Sequence, residues 1–321
     1  MRPIVYIPRF IAKEGVDFLL ERGFAVREGS GIDEDTLCRE VRGCQSILVR
    51  TAHITRKVLQ AEPQLRLVVR HGTGMDIIDV EAASRLGIQV ANTPQSNGPA
   101  VAELCVGGML AAARKLPSLC SSARRGDFFY KNHCTGAELR GKRLGLVGLG
   151  DIGLRTARIA ALGFQMEVAA YRGHTQGKAI PDYVRLLEWD ELFRTSDFIS
   201  LHIPLRPENM GLVGRREFEM MKPTAILVNT SRGQVVQEQE LIQALEQNRL
   251  AGAFLDVLSE EPFPKDNPLL HMEQVIVSPH IGSNTSDALI RSALQAAEEV
   301  DRFFHGQPLR WPVNSLQHTV K

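Results

Sequence analysis

Ten short apolar runs of three to five residues recur along the chain, with amphipathic stretches between them. The first series is Ile4–Ile7, Ser46–Val49, Leu67–Arg70 and Gln89–Ala91. The second is Arg143–Val147, Glu167–Tyr171, Phe198–Leu201, Ala225–Asn229, Ala253–Asp256 and Gln274–Val277. Lys13–Arg22, Ile152–Leu162 and Gln237–Gln247 carry a helical period. Strands this short and apolar need cover on both faces, and helices between successive parallel strands supply it. The pattern predicts an α/β chain. Ten strands are too many for one sheet of ordinary width, so we expect two doubly wound parallel-sheet domains. Residues 1–98 would form the first and 99–285 the second, linked by the helical stretch Pro99–Leu116. The long helix Ser286–Phe304 and its tail, 286–321, would return to complete the first domain.

Composition narrows the function classes. The chain is 44% hydrophobic and 23% charged, ordinary for a soluble globular protein. A net charge of +1 gives no electrostatic case for nucleic acid or an anionic membrane. The most apolar stretch, L-C-V-G-G-M-L-A-A-A, lies between Glu103 and Arg114 and is too short to span a bilayer. The opening M-R-P-I-V-Y-I-P-R-F is too interrupted for a signal peptide. Five scattered cysteines without C-x-x-C suit free thiols in a reducing cytoplasm. No paired histidines or Cys/His cluster suggest a metal site.

The second half opens with G-L-V-G-L-G-D-I-G. Gly148, Gly150 and Gly153 form G-x-G-x-x-G between an apolar strand and a helical stretch. Gly148 would permit a tight turn, Gly150 the approach of a pyrophosphate, and Gly153 close packing of helix on strand. Asp151 and Ile152 would open the helix, whose free N–H groups favour phosphate. About twenty residues on, where such units usually place an acidic residue on the ribose, the chain has Arg172. Arginine removes a repulsion toward a 2′-phosphate and adds a two-pronged attraction. Gly173 would keep the neighbourhood open, and His174 and Thr175 would add donors. NADP(H) is therefore favoured; the alternative is a solvated Arg172 with NAD(H) as cofactor.

Three segments follow, each ending a strand in polar residues: I-L-V-N-T-S-R-G with Arg232, F-L-D-V-L-S-E-E-P with Asp256 and Glu261, and V-I-V-S-P-H-I-G-S with His280. Ligand groups gather at the carboxyl ends of parallel strands. Arg232 suits a carboxylate and carbonyl, and His280 exchanges a proton near neutrality. Glu261 could accept from the far nitrogen of His280. Each residue alone also fits an ordinary loop role; their order behind a nucleotide fingerprint carries the argument.

The order of these segments resembles the D-isomer-specific 2-hydroxyacid dehydrogenase family over nearly the whole chain. The likeness includes R-H-G-T-G-M-D-I-I-D at 70–79, N-T-P at 92–94, A-V-A-E at 100–103 and L-H-I-P-L at 201–205, besides the segments above. It implies a flavodoxin-like substrate domain and a Rossmann nucleotide-binding domain, in a homodimer whose interface uses the interdomain helix. It implies a substrate-orienting role for Arg232, an acid/base role for His280, and Glu261 as its partner. Asp256 would contact the nicotinamide carboxamide; His202, Ile203, Pro204 and Thr230 would lie along the cofactor. The amides of Thr73 and Gly74 would hold the substrate carboxylate.

Departures from the family pattern include Arg172, Ile77 in place of an asparagine, and Asn209 in P-E-N-M-G. The segment at 128–136 matches no pattern of the family. With no regulatory domain after Trp311, serine-type allosteric control is not expected. Arg50, after a strand, resembles the arginine that meets the phosphate in phosphoglycerate-oxidising relatives. The 2-hydroxy or 2-keto acid would then carry an anionic tail; glyoxylate and hydroxypyruvate, without one, are the alternative. A different class, a non-catalytic NAD(P)-sensing protein of corepressor type, predicts loss of the catalytic trio, and Arg232, Glu261 and His280 are all present.

Overall fold

The computed structural model describes residues 2–171, 173 and 179–316. The chain divides into two compact units, Met1–Asn97 with Ser283–Lys321, and Gly98–Gly282. Both are parallel sheets covered by helices.

In the first unit the strands are β1 (Ile4–Ile7), β2 (Ala25–Glu28), β3 (Ser46–Val49), β4 (Leu67–Arg70) and β5 (Gln89–Ala91). Their order is β2-β1-β3-β4-β5, all parallel, which is the flavodoxin-like arrangement. The helix Ser286–Phe304 belongs here because its alanine face is buried against the unit's core, with Ala293, Ala296, Ala297 and Val300 fully covered. It packs close to the helix Lys13–Glu21 at Gly15, where a Cβ would lie 2.8 Å from that of Ala293. The tail that follows is pinned beside β5. Asn314 accepts from the Val90 amide at 2.7 Å and donates to the Ile88 carbonyl at 2.9 Å.

In the second unit the strands are β6 (Arg143–Val147), β7 (Glu167–Tyr171), β8 (Val184–Leu187), β9 (Phe198–Leu201), β10 (Ile226–Asn229), β11 (Gly252–Leu255) and β12 (Val275–Val277). The order is β12-β11-β10-β9-β6-β7-β8, again parallel throughout. This is the Rossmann order, and the direction of winding reverses between β6 and β9. The glycine-rich turn leads into a helix, Asp151–Arg158, that continues as a π turn over Ile159–Gly163.

The two strands that apolar runs do not reveal, β2 (A-V-R-E) and β8 (V-R-L-L), are sheet edges with partly exposed side chains. The stretch expected as one helix over Pro99–Leu116 is a helix over Gly98–Ala113 and a second over Leu116–Arg124. Lys115, at φ 48°, breaks them in the left-handed region, and Pro117 sits in the first turn of the second. Among the described residues no helix is long and apolar enough to cross a membrane. The five cysteines are free; Cys44, Cys105 and Cys134 are buried, whereas Cys120 is exposed.

The helix Gly98–Ala113 is apolar nearly all round and lies in the core of the second unit. Gly108 permits this, because a Cβ there would fall 2.2 Å from Cδ1 of the buried Phe254 ring. One residue earlier, a Cβ at Gly107 would meet nothing within 4 Å. Gly108→Ala should therefore cost about 1–3 kcal/mol through overpacking, whereas Gly107→Ala should gain up to about 1 kcal/mol from helix propensity. Urea unfolding midpoints of the two variants should move in opposite directions, and the same direction for both would contradict this packing.

Candidate active site

The glycine turn after β6 is shaped by its neighbours. Gly148 has φ +109°, and a Cβ there would lie 2.5 Å from the His202 carbonyl oxygen. Gly153 is pressed against the Gly148 carbonyl, with 2.2 Å left for a Cβ. Both glycines are thus required by the protein itself. Gly150 is not: a Cβ there would meet nothing within 4 Å. It caps the helix that Asp151 and Ile152 open, whose first amides lack helical acceptors. His202, Ile203 and Pro204 follow β9, the strand across the reversal point. His202 donates its amide to Val147 at 2.8 Å, Ile203 is buried and Pro204 exposed. Asn209 ties off the loop by donating to the Pro204 carbonyl at 2.9 Å. The His202 ring bonds the Ser200 hydroxyl at 2.9 Å, and burial pushes its pKa down to about 4.

Arg172, His174 and Thr175 lie outside the described residues. Gly173 is described and exposed, and a Cβ there would lie 2.4 Å from the Tyr171 ring. That ring packs edge-on against Trp189, 5.0 Å between centroids.

Arg232, Asp256 and His280 follow the carboxyl ends of the adjacent strands β10, β11 and β12. The buried Asn229 side chain folds the first of these turns. Its Oδ1 accepts from the Ser231 amide and hydroxyl at 3.0 and 2.8 Å, and its Nδ2 donates to the Arg232 carbonyl at 3.0 Å. The half-buried Arg232 side chain donates to the Ser231 carbonyl at 2.7 Å. Beside it, Thr230 carries a buried hydroxyl with no hydrogen-bond partner. The Arg232 loop and the loop leading to Glu261 are locked together. Gly233 lies so near Leu258 that a Cβ would be 1.9 Å from its carbonyl carbon. Gln234 donates to the Ser259 carbonyl and Glu238 accepts from the Ser259 amide, each at 2.8 Å.

Asp256 is 1% exposed, and its carboxylate faces the turn that carries His280. It accepts from the Ser278 hydroxyl at 2.6 Å, the Ile281 amide at 2.8 Å and the Gly282 amide at 2.7 Å. Burial pushes its pKa up, and the three hydrogen bonds oppose that rise. His280 itself sits at φ +51°, which costs a non-glycine residue roughly 1–2 kcal/mol. Its amide donates to the carbonyls of Asp256 and Ser278, both at 2.9 Å. Its Nδ1 meets Glu261 Oε2 at 2.7 Å. Nε2 has no hydrogen-bond partner among the described residues and the ring is partly exposed. With Nδ1–H held by a carboxylate, Nε2 is the nitrogen placed to exchange a proton.

In the first unit, Thr73 and Gly74 follow β4. The loop is wound round Arg70, whose Nε donates to the Gly74 carbonyl at 3.0 Å, and Gly72 bonds the Thr93 hydroxyl at 2.8 Å. The amides of Thr73 and Gly74 have no acceptor among the described residues. Arg50 stands half-buried after β3. Among the described residues no cluster of His, Cys, Asp or Glu could hold a metal ion.

These features fit a dinucleotide. The open space at Gly150 and the orphaned Thr230 hydroxyl have no explanation within the protein. Sequence reasoning passed over Asn229 and the bridge from Gln234 and Glu238 to Ser259. Their only signal was polar residues at and after a strand end.

Residues 106–282 match the family described as D-isomer specific 2-hydroxyacid dehydrogenase, NAD binding domain. A D-3-phosphoglycerate dehydrogenase of Archaeoglobus fulgidus is 37% identical over 97% of this chain and 59% of its own length. A glyoxylate reductase of Korarchaeum cryptofilum is 35% identical over 96% of this chain and 94% of its own. The chain therefore spans a little over half of the first of these relatives and nearly all of the second. Among solved structures, the TT0316 protein of Thermus thermophilus is 33% identical, with a TM-score of 0.90 over 97% of this chain and 100% of that one.

The His71 ring, after β4, is 6% exposed. Burial, with the charges of Arg70 and Arg50 behind it, holds its pKa down at about 4 against an ordinary 6.5. Below pH 6.5 the unfolded chain binds a proton that the folded chain refuses until about pH 4. Stability from this group is thus full above pH 6.5 and should fall by about 3 kcal/mol as pH drops to 4. Urea unfolding across this range should show a shallower pH dependence for His71→Gln; parallel curves would contradict it.

Proposed function

The chain belongs to the D-isomer specific 2-hydroxyacid dehydrogenase family, and from that premise we propose that it interconverts a small D-2-hydroxy acid and its 2-keto acid with a nicotinamide dinucleotide. The observation that carries the catalytic assignment is the 2.7 Å contact between His280 Nδ1 and Glu261 on a turn braced by Asp256. The second unit is the dinucleotide-binding domain and the first the substrate-binding domain. The assembly is a homodimer in the cytoplasm.

Gly148, Gly150 and Gly153, with the amides of Asp151 and Ile152, would hold the pyrophosphate of a dinucleotide, and Thr230, His202, Ile203, Pro204 and Asp256 would line its nicotinamide half. The group would supply or take up the hydride at the substrate C2. In reduction His280 gives its Nε2 proton to the carbonyl oxygen of the keto acid, and Glu261 stabilises the ring while it is charged. Oxidation returns that proton to the neutral ring. Arg232 orients the substrate carboxylate and carbonyl through its fork of donors. The open amides of Thr73 and Gly74 are donors for a carboxylate, and Arg50 offers a charge to any second anionic group.

Arg172 selects the cofactor. Its guanidinium in place of a carboxylate favours NADP(H) over NAD(H). The test joins binding and turnover. NADPH and NADH are titrated by fluorescence against the wild type and Arg172→Asp, and NADPH oxidation is followed with hydroxypyruvate, glyoxylate and 3-phosphohydroxypyruvate. We expect NADPH to bind about 10- to 100-fold more tightly, the substitution to reverse the order, and at least one keto acid to be reduced. Equal binding of both cofactors would return the assignment to NAD(H), and binding of neither would overturn the dinucleotide reading.

A further inference from the structure

In the first unit the sheet order reverses between β1 and β3, so the loops that follow those strands flank a topological switch point, the place where open α/β sheets take ligands. β1 runs into Pro8, Arg9 and Phe10; β3 runs into Arg50. The Phe10 ring is 63% exposed, unusual for a phenylalanine next to a fully packed strand. Both arginines contact it. The Arg9 guanidinium carbon lies 5.9 Å from the ring centroid and that of Arg50 lies 5.4 Å from it.

Neither arginine has an ion pair or a hydrogen-bond partner among the described residues. Arg50 is nevertheless half-buried, and burial together with the Arg9 charge pushes its pKa down. Next along the sheet, after β4, the buried His71 leaves Nε2 without a partner. Two guanidinium groups and an unsatisfied imidazole nitrogen thus gather at the carboxyl ends of β1, β3 and β4, and among the described residues no carboxylate pairs with either arginine. Cation–π contacts would hold the two arginines to the ring while leaving their N–H groups available.

We propose that Arg9 and Phe10 are specificity-determining residues, forming with Arg50 a two-guanidinium clamp for a multiply charged terminal group, phosphate in preference to carboxylate, on the substrate acid. Phe10 acts as the plate that spaces the two cations. Planar guanidinium forks match the oxygens of a phosphate, and two of them favour a dianion over a single negative charge. This rests on the 2-hydroxyacid dehydrogenase reading above.

The test compares two keto acids that differ only in the tail, 3-phosphohydroxypyruvate and hydroxypyruvate, with the cofactor-saturated enzyme. Wild type should prefer the phosphorylated acid in kcat/KM. Arg9→Gln should lower kcat/KM for that acid about 10- to 100-fold, mainly through KM, and change hydroxypyruvate by less than about 2-fold. Arg9→Lys should restore part of the loss, and Phe10→Ala should show the same tail-dependent loss in weaker form. Equal losses on both acids, no loss on either, or a wild-type preference for hydroxypyruvate would each overturn the clamp while leaving the dehydrogenase assignment intact. If neither acid is turned over, that assignment fails, and the clamp is judged by calorimetric titration with inorganic phosphate. Binding to the wild type that Arg9→Gln weakens would uphold it; no binding to the wild type would overturn it.

Discussion

A buried carboxylate holds the candidate active site together. Asp256 lies just past the end of the interior parallel strand β11, almost wholly removed from water. Its burial is tolerable because a hydroxyl and two amides of the 278–282 turn satisfy it. The same bonds constrain that turn. They hold His280 in a left-handed backbone conformation, and so present its ring to Glu261. Sequence places the aspartate, the sheet places the turn, and the turn fixes which imidazole nitrogen is left to act.

The two units solve similar problems with the same architecture. In each, parallel strands deliver polar residues to their carboxyl ends, and the winding reverses between two of the loops there. In the second unit the reversal lies by the glycine turn; in the first it lies by Arg9, Phe10 and Arg50. Backbone geometry separates the glycines that the packing requires from the one that it does not. Gly148 and Gly153 are demanded by neighbouring backbone, whereas nothing in the protein demands Gly150.

Much of this was legible in the sequence. Central strands such as β3 and β10 read as unbroken apolar runs because both faces are buried. Edge strands β2 and β8 did not, since one side of each meets solvent and admits arginine or glutamate. The glycine fingerprint and the His280–Glu261 pairing were readable because their chemistry demands particular residue types at fixed places. The bracing role of Asp256 was not, because it depends on three partners in a turn over twenty residues away. Arg9 and Phe10 were also invisible: P-R-F after a strand carries no motif, and only the fold brings it beside Arg50.

In the proposed reaction His280, held by Glu261, carries the proton in turnover. The most direct measurement is steady-state reduction of the best keto acid by His280→Gln, with cofactor affinity measured on the same preparation. Cofactor binding should stay within about 2-fold of wild type while kcat falls about 10²- to 10⁴-fold, the range for loss of a general acid. Near-normal kcat in a variant that binds cofactor would remove His280 from the chemistry.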